Sequence, residues 1–382
     1  MNILYVLNSG RAGGMEKHVL DLVAGMKKEG HNVYVWAPAG TEPKLYQEHG
    51  AEVFEKYIRG EIDFKYILGL KKFLKDKKID VLHAHEIKAV SHSLIAGKLA
   101  GVKGMVTHTH TPISTWKINK IKRFIDVKIY SFLVNFLSHK EIALTSSVSE
   151  IKKKEGIKVK KLVVLPNAVP LHFSPSLQDE KAMHVKEIGE RYGISESDFV
   201  FGVIGRMSEE KGHSLLVDAF NLFLQKDQIK DAKNNFKLLL AGGGVSEEDL
   251  KKQVKKQNLE KLVIFTGIYT DEDKPKFLSS MHVFINPSFT EGFGITPLEA
   301  LVSKIPLIYS DIPVLREVIG DYGKYFKKGS AQHLSDVMFS SYSEIISGVY
   351  SIDMEEAKRF ILEKYSMETF TRNYLELYKS LL

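Results

Sequence analysis

Residues 283–305 read VFINPSFTEGFGITPLEALVSKI, and the fold of the whole chain can be read outward from this stretch. The apolar run Val283–Ile285 has the length and composition of a buried strand. Pro287, Ser288, Gly292 and Gly294 make the next segment a turn-rich loop. Thr296-Pro297-Leu298-Glu299 then reads as a helix start, with Thr296 at the N-cap, Pro297 at the first helical position and Glu299 completing a capping box. A strand that runs through a glycine loop into a helix N-terminus is a ready anion site. Its first N–H groups are unpaired, and the helix dipole is positive there. Two carboxylates, Glu291 and Glu299, bracket that turn with seven residues between them. Acids beside an anion-binding helix end suit a sugar nucleotide better than a bare phosphate.

The same pattern repeats upstream. Residues 198–205 (DFVFGVIG), 236–242 (FKLLLAG), 262–267 (LVIFTG), 282–287 (HVFINP) and 306–311 (PLIYSD) are strand-like, with helical patterns at 214–225, 246–257 and 274–281. The first half does likewise, with strand-like runs at 2–7, 32–37, 79–85, 104–110, 141–147 and 161–166. Helical patterns fill 15–29, 64–78, 91–100 and 117–137. Such alternation predicts parallel sheets covered by helices on both faces. Pro166, Pro170 and the polar residues up to Glu180 read as a linker. The expected fold is therefore α/β, with two doubly wound domains over 1–168 and 172–364 and a cleft where the carboxyl ends of both sheets face each other. The tail from Ser351 reads as helical, and its end, from about residue 365 to 382, is expected to pack back on the first domain.

A length of 382 residues agrees with two domains. The absence of cysteine excludes disulfides and thiolate metal sites, and it fits a reducing compartment. Met1 leads directly into strand-like ILYVL, so no secretory signal is expected, and no apolar run approaches a membrane span. The net charge of +7 is uneven: residues 1–170 carry 28 Lys and Arg against 16 Asp and Glu, leaving 26 against 31 in the remainder. A basic first half serves solubility, or it meets an anionic surface or acceptor.

Four further features bear on function. The turn Gly10–Gly14 (GRAGG) lacks the spacing of a dinucleotide loop, so it reads as a tight turn needing positive φ or as a close approach to a ligand. In GRMSEEKG (205–212), Arg206 and Lys211 follow a strand; solvated surface is the ordinary reading of lone cations in a loop, and neutralising a diphosphate beside the helix start at Thr296 is the functional one. His108 and His110 share a strand face, near His83 and His85 on a neighbouring strand; local hydrogen bonding is the ordinary reading, a four-histidine metal cluster is the alternative, and no metal site is expected. From Trp116 to Lys140, lysines and Arg123 interleave with Phe124, Ile125, Phe132 and Phe136; this is a core helix with a basic face, or a helix that touches anionic lipid.

Taken together these segments resemble the retaining glycosyltransferases of family 4, whose fold, GT-B, is two facing Rossmann-like domains. The resemblance rests on GRMSEEKGHSLLVDAF (205–220), LLLAGGG (238–244), VIFTG (263–267), NPSFTEGFGITPLEA (286–300) and SDIPVLREVIGD (310–321), with GGMEKHVLDL (13–22) near the start. It departs from the family at Ser303-Lys304, where a small residue and glycine usually close the helix.

The resemblance implies that Glu291 holds donor-sugar hydroxyls, supported by the backbone of Gly292, Phe293 and Gly294. It implies that Glu299 binds the nucleotide ribose, in competition with its capping role. Arg206 and Lys211 are implied to hold the diphosphate and offset its growing charge, helped by the N–H groups of Ile295 and Thr296. Gly13 and Gly14 would close over it from the first domain, and His110 would lie near the reacting sugar. The implied donor is a nucleotide sugar, most often a UDP-sugar, and the acceptor a glycan or lipid-linked glycan. No metal or other cofactor and no nucleic acid are expected. The expected location is cytoplasmic, peripheral to an anionic membrane surface met through the basic half. The rival readings are an epimerase or phosphorylase of the same fold and a non-catalytic binder of sugar nucleotides or nucleic acid.

Overall fold

The computed structural model describes residues 1–10, 13–40, 42–170 and 178–382. Arg11 and Ala12 of the GRAGG turn, and 171–177 of the expected linker, lie outside the described residues. The chain forms two compact units: Met1–Ala168 together with Met367–Leu382, and Val169–Ser366.

Unit 1 alternates β1 (Asn2–Val6), α1 (Gly14–Lys28), β2 (Asn32–Ala37), α2 (Glu42–Glu48), β3 (Glu52–Glu55), α3 (Phe64–Asp76), β4 (Val81–His85), α4 (Ile87–Ala100), β5 (Gly104–His108), α5 (Lys120–Leu137), β6 (Lys140–Ala143), α6 (Ser146–Lys154) and β7 (Leu162–Val164). Its seven strands are parallel in the order β3-β2-β1-β4-β5-β6-β7. Side chains alternate across the sheet. Ile3 and Tyr5 join a core with α1, while Leu4 and Val6 join one with α3 and α4.

Unit 2 runs α7 (Gln178–Tyr192), β8 (Phe199–Ile204), α8 (His213–Leu224), β9 (Phe236–Ala241), α9 (Glu247–Lys256), β10 (Val263–Phe265), α10 (Asp273–Ser279), β11 (Val283–Asn286), α11 (Ile295–Val302), β12 (Leu307–Ser310), α12 (Pro313–Ile319), β13 (Lys324–Phe326), α13 (Ala331–Ile346) and α14 (Met354–Tyr365). Its parallel order is β10-β9-β8-β11-β12-β13. All six residues of β8 are buried, as an apolar run between two helical layers requires.

The tail is two helices. α14 stays in unit 2, and α15 (Met367–Lys379) joins unit 1, where Phe370, Tyr374 and Tyr378 enter the core. α15 crosses α1 so closely that a methyl group on Gly25 would lie 2.3 Å from the Thr371 hydroxyl.

The linker reading needs correction, because α7 already begins at Gln178. The GRAGG expectation also changes, since Gly13 has φ −175°, which any residue adopts. Glycine at position 10 answers a close approach: its Cβ would sit 2.6 Å from the carbonyls of Pro38 and Ala39. At the family departure, Lys304 itself takes the left-handed conformation at φ +57° where glycine is usual.

Candidate functional site

In each sheet the order reverses direction beside the first strand of the unit, between β1 and β4 and between β8 and β11. Ligands of doubly wound folds bind outside the carboxyl ends of the strands at such a switch point. In unit 2 the β8 end leads into residues 205–212 and the β11 end into 287–294, the two loops that sequence reading singled out.

Glycines set how closely these loops approach. Gly242 (φ +136°) and Gly244 (φ +155°) form the bed of the first loop; a Cβ on them would sit 2.1 Å from the Gly205 carbonyl and 2.3 Å from the Met207 carbonyl. The Met207 N–H donates to the Gly243 carbonyl at 2.9 Å. Gly212 (φ +71°) presses on the Pro287 carbonyl, and the Phe289 N–H donates to the Glu210 carbonyl at 2.8 Å. The two loops are thereby joined.

That join brings Lys211 to Glu291. The lysine ammonium donates to Glu291 Oε1 at 2.7 Å, and the Ser288 hydroxyl donates to the same oxygen at 2.8 Å. Asn286 Nδ2 approaches it at 3.4 Å, and the Glu291 side chain is only 9% exposed. Arg206 behaves differently. Its side chain is 73% exposed and, among the described residues, reaches only Glu210, at 3.5 Å, so the structure does not bring it to Glu291.

The helix start differs from the capping-box reading. Gly294, at φ +91°, is the N-cap, α11 begins at Ile295, and no side chain caps it. Thr296 is thus inside the first turn, where Pro297 is tolerated because N–H groups there have no intrahelical partner. Glu299 is buried and its Oε1 accepts from the Lys274 ammonium at 3.1 Å, so the rival to a ligand role is this ion pair and not a cap. Phe293 is buried edge-on against Tyr365 and fixes the Gly292–Gly294 backbone beside it.

Unit 1 gathers its histidines. His85 and His108 are register partners on β4 and β5, the His108 and His110 rings stack at 3.8 Å, and His85 Nδ1 lies 3.3 Å from His110 Nε2. His18 of α1 joins them and bonds Asn167 at 2.7 Å. Burial lowers the pKa of His18 to about 4 and those of His83, His85, His108 and His110 well below the usual value, so the cluster is neutral near pH 7. Among the described residues, His18, His85 and His108 are the one trio placed to hold a metal, with ligating atoms all within 4.8 Å of one another.

Sequence reading missed several partners. Ser288 and Asn286 hold Glu291, and Lys274 pairs with Glu299. Glu86, at the unit 1 switch point, adopts φ +74° without being glycine, and burial raises its pKa. Below His110 lies a fully buried ion pair. Lys152 donates to Glu141 at 2.5 Å and to the carbonyls of Thr109 and Ile142, each at 2.7 Å. The hydroxyls of Thr107 and Tyr130 donate to the other Glu141 oxygen. Lys152 sits in a Lys-Lys-Lys run that looks solvated, so only the fold reveals it.

The family described as Glycosyltransferase Family 4 matches residues 12–173, and that described as Glycosyl transferases group 1 matches residues 185–340. An Escherichia coli protein, UDP-Gal:alpha-D-GlcNAc-diphosphoundecaprenol alpha-1,3-galactosyltransferase, is 30% identical over 257 residues, covering 65% of this chain and 62% of the relative. The alpha-monoglucosyldiacylglycerol synthase of Acholeplasma laidlawii is 24% identical over 97% of this chain and 94% of its own. Among solved structures, Anabaena HepE in complex with UDP and glucose superposes over the whole of both chains with a TM-score of 0.85 at 18% identity. With one family match falling on each Rossmann-like unit and the fold shared end to end, the chain has the GT-B fold and belongs to the family 4, or group 1, glycosyltransferases.

Proposed function

We propose that the protein is a retaining glycosyltransferase that moves a sugar from a UDP-sugar to a glycan or lipid-linked acceptor in cell-surface polysaccharide or glycolipid synthesis. The observation that carries this reading is the Lys211–Glu291 pair at the unit 2 switch point, next to the N-terminus of α11. Lys211 is held by the Glu291 carboxylate at 2.7 Å. A diphosphate draws that ammonium to itself and frees Glu291 to accept from sugar hydroxyls. Arg206, exposed and weakly tied, swings onto the same diphosphate. The N–H groups of Ile295 and Thr296 complete the anion site. Glu299 takes the ribose hydroxyls once Lys274 yields.

In the transfer the bond from the anomeric carbon to the diphosphate oxygen breaks, and the acceptor oxygen bonds to that carbon on the same face. The acceptor proton passes to the departing phosphate oxygen. Charge grows on the diphosphate as the bond breaks, so Lys211 and Arg206 stabilise the transition state more than the ground state. Such a site needs no protein nucleophile and no metal, since the two cations supply the charge. Gly13, Gly14 and His110 serve from unit 1.

The names of the relatives support this reading. The E. coli protein is named for a UDP-sugar donor and a diphosphate-linked lipid acceptor, and the A. laidlawii protein for a glycolipid. No helix among the described residues is long and apolar enough to cross a membrane. A peripheral enzyme at the cytoplasmic face is part of the proposal, supported by the lipid-linked and glycolipid names of these relatives. Thermal shift with UDP, GDP, dTDP and ADP tests the donor: a ligand at a hundred times its Kd adds about 2.7 kcal/mol to the native state. UDP is expected to give the largest rise, reduced in Lys211→Ala. No rise with any nucleotide would sink the reading.

A further inference from the structure

The apolar side chains of α5 leave one face uncovered. Ile121, Phe124, Ile125, Ile129, Phe132 and Phe136 are between 48% and 71% exposed. At 3.6 residues per turn they fall within an arc of about 140°. Tyr130 and Val134, which bury the helix against unit 1, point the opposite way. A continuous apolar stripe of this kind on one helix marks an interaction surface, whereas scattered exposed apolar residues do not.

Cations frame the stripe. Lys128 lies over the Phe124 ring at 5.5 Å and Lys158 over the Phe136 ring at 5.3 Å. Asp126, the one acid on the helix, is 3.6 Å from Lys122. Beside the first turn of α5 is a cavity of about 350 Å³ whose lining includes Lys120, Arg123 and Lys154 with Phe124 and Val127. Its one carboxylate, Glu155, is buried and accepts the Ser114 N–H at 2.6 Å. The cavity thus offers three cationic side chains at one end of an apolar stripe that shares Phe124 with it.

We infer that α5 docks the protein on an anionic bilayer, its apolar stripe entering the interfacial layer while the Lys120, Arg123 and Lys154 cavity takes a lipid phosphate. Amphipathic helices with aromatic and aliphatic residues on one side and lysines at its margins lie in that layer. Charge favours a membrane over a second copy of the chain, because a two-fold contact through this face sets Lys128 and its cationic neighbours against their own copies. An anionic leaflet attracts the same cations. The inference deepens the lipid-linked reading of the acceptor and takes its meaning from it, yet the docking itself needs neither donor nor sugar.

Vesicle co-sedimentation tests it, using phosphatidylcholine vesicles with and without phosphatidylglycerol. The full chain is expected to bind the anionic vesicles at least about tenfold more tightly at low salt, with the advantage lost as salt rises. Lys120→Glu with Lys154→Glu should weaken anionic binding by about thirtyfold or more. Phe132→Ser with Phe136→Ser should weaken it at least about tenfold. Both double variants change exposed residues and should keep the stabilisation by UDP. Equal binding to both vesicles, or wild-type binding by either variant, would overturn the inference. So would a dimer dispersed by the phenylalanine variant without vesicle binding, or inorganic phosphate stabilising the chain while no vesicle is bound. Vesicle binding without any UDP effect would instead leave this inference standing and remove the transferase reading.

Discussion

Replacing Lys152 by methionine is expected to destabilise unit 1 selectively. The ammonium and the Glu141 carboxylate are both fully buried and 2.5 Å apart. Methionine fills similar space but leaves the carboxylate with the Thr107 and Tyr130 hydroxyls, long contacts at 3.4 Å from the Thr109 N–H and hydroxyl, and no opposite charge. Breaking one side of a buried pair costs about 3–5 kcal/mol, and two orphaned carbonyls, Thr109 and Ile142, act in the same direction. A domain of this size shifts by about 2–4 °C per kcal/mol, so its melting temperature should fall by about 6–20 °C. Both tryptophans, Trp36 and Trp116, are in unit 1, so their fluorescence reports its unfolding alone. Adding Glu141→Gln removes the stranded charge while keeping acceptors for both hydroxyls, and should restore at least about 2 kcal/mol. A Lys152→Met protein within about 1 kcal/mol of wild type, or a double variant no better than the single, would refute the reasoning. Because Thr109 adjoins His110, the single variant should also lose transfer activity while UDP still binds unit 2.

Arg206→Ala should lower kcat by about 10²–10³ while changing stability by less than about 0.5 kcal/mol, because the side chain is exposed; kinetics and melting on one preparation check this. Glu299→Gln should weaken UDP binding by about ten- to a hundredfold by calorimetry. Unchanged affinity with lowered stability would assign Glu299 to the Lys274 pair alone. Burial lowers the His213 pKa from 6.5 to about 4. The unfolded chain therefore binds the extra proton first on acidification. The stability this histidine contributes is complete above pH 6.5 and lost between pH 6.5 and 4, about 3 kcal/mol in all, and His213→Leu should remove that share of the pH dependence of unit 2 unfolding. Extensive treatment with EDTA should leave transfer intact. If activity falls and zinc restores it, metal analysis of His18→Ala would show whether the histidine trio is the site.

The central strands and both loops at the unit 2 switch point were legible in the sequence because buried parallel strands are apolar runs and the loops carry glycines. What was not legible has physical reasons. β3 reads EVFE, a short edge strand with only its middle apolar, and α7 is a polar helix with little apolar stripe. The start of α11 moved because Gly294 in the left-handed region outcompetes Thr296 as the cap, which local residue preference alone does not decide. Glu291 and Glu299 could be singled out as a pair, but their partners could not. Lys274 comes from α10 and Lys211 from the β8 loop, and only the sheet order brings them near. His18 sits on an ordinary amphipathic helix, and nothing in its spacing announces that it meets His108.

The most direct test of the central claim is the release of UDP from a UDP-sugar with and without a lipid-linked glycan acceptor, followed together with the sugar that leaves. UDP is expected only when acceptor is present, in equal amount to glycosylated product that keeps the donor's anomeric configuration. UDP-sugar interconverted without acceptor, sugar phosphate formed with inorganic phosphate, or product of inverted configuration would contradict it.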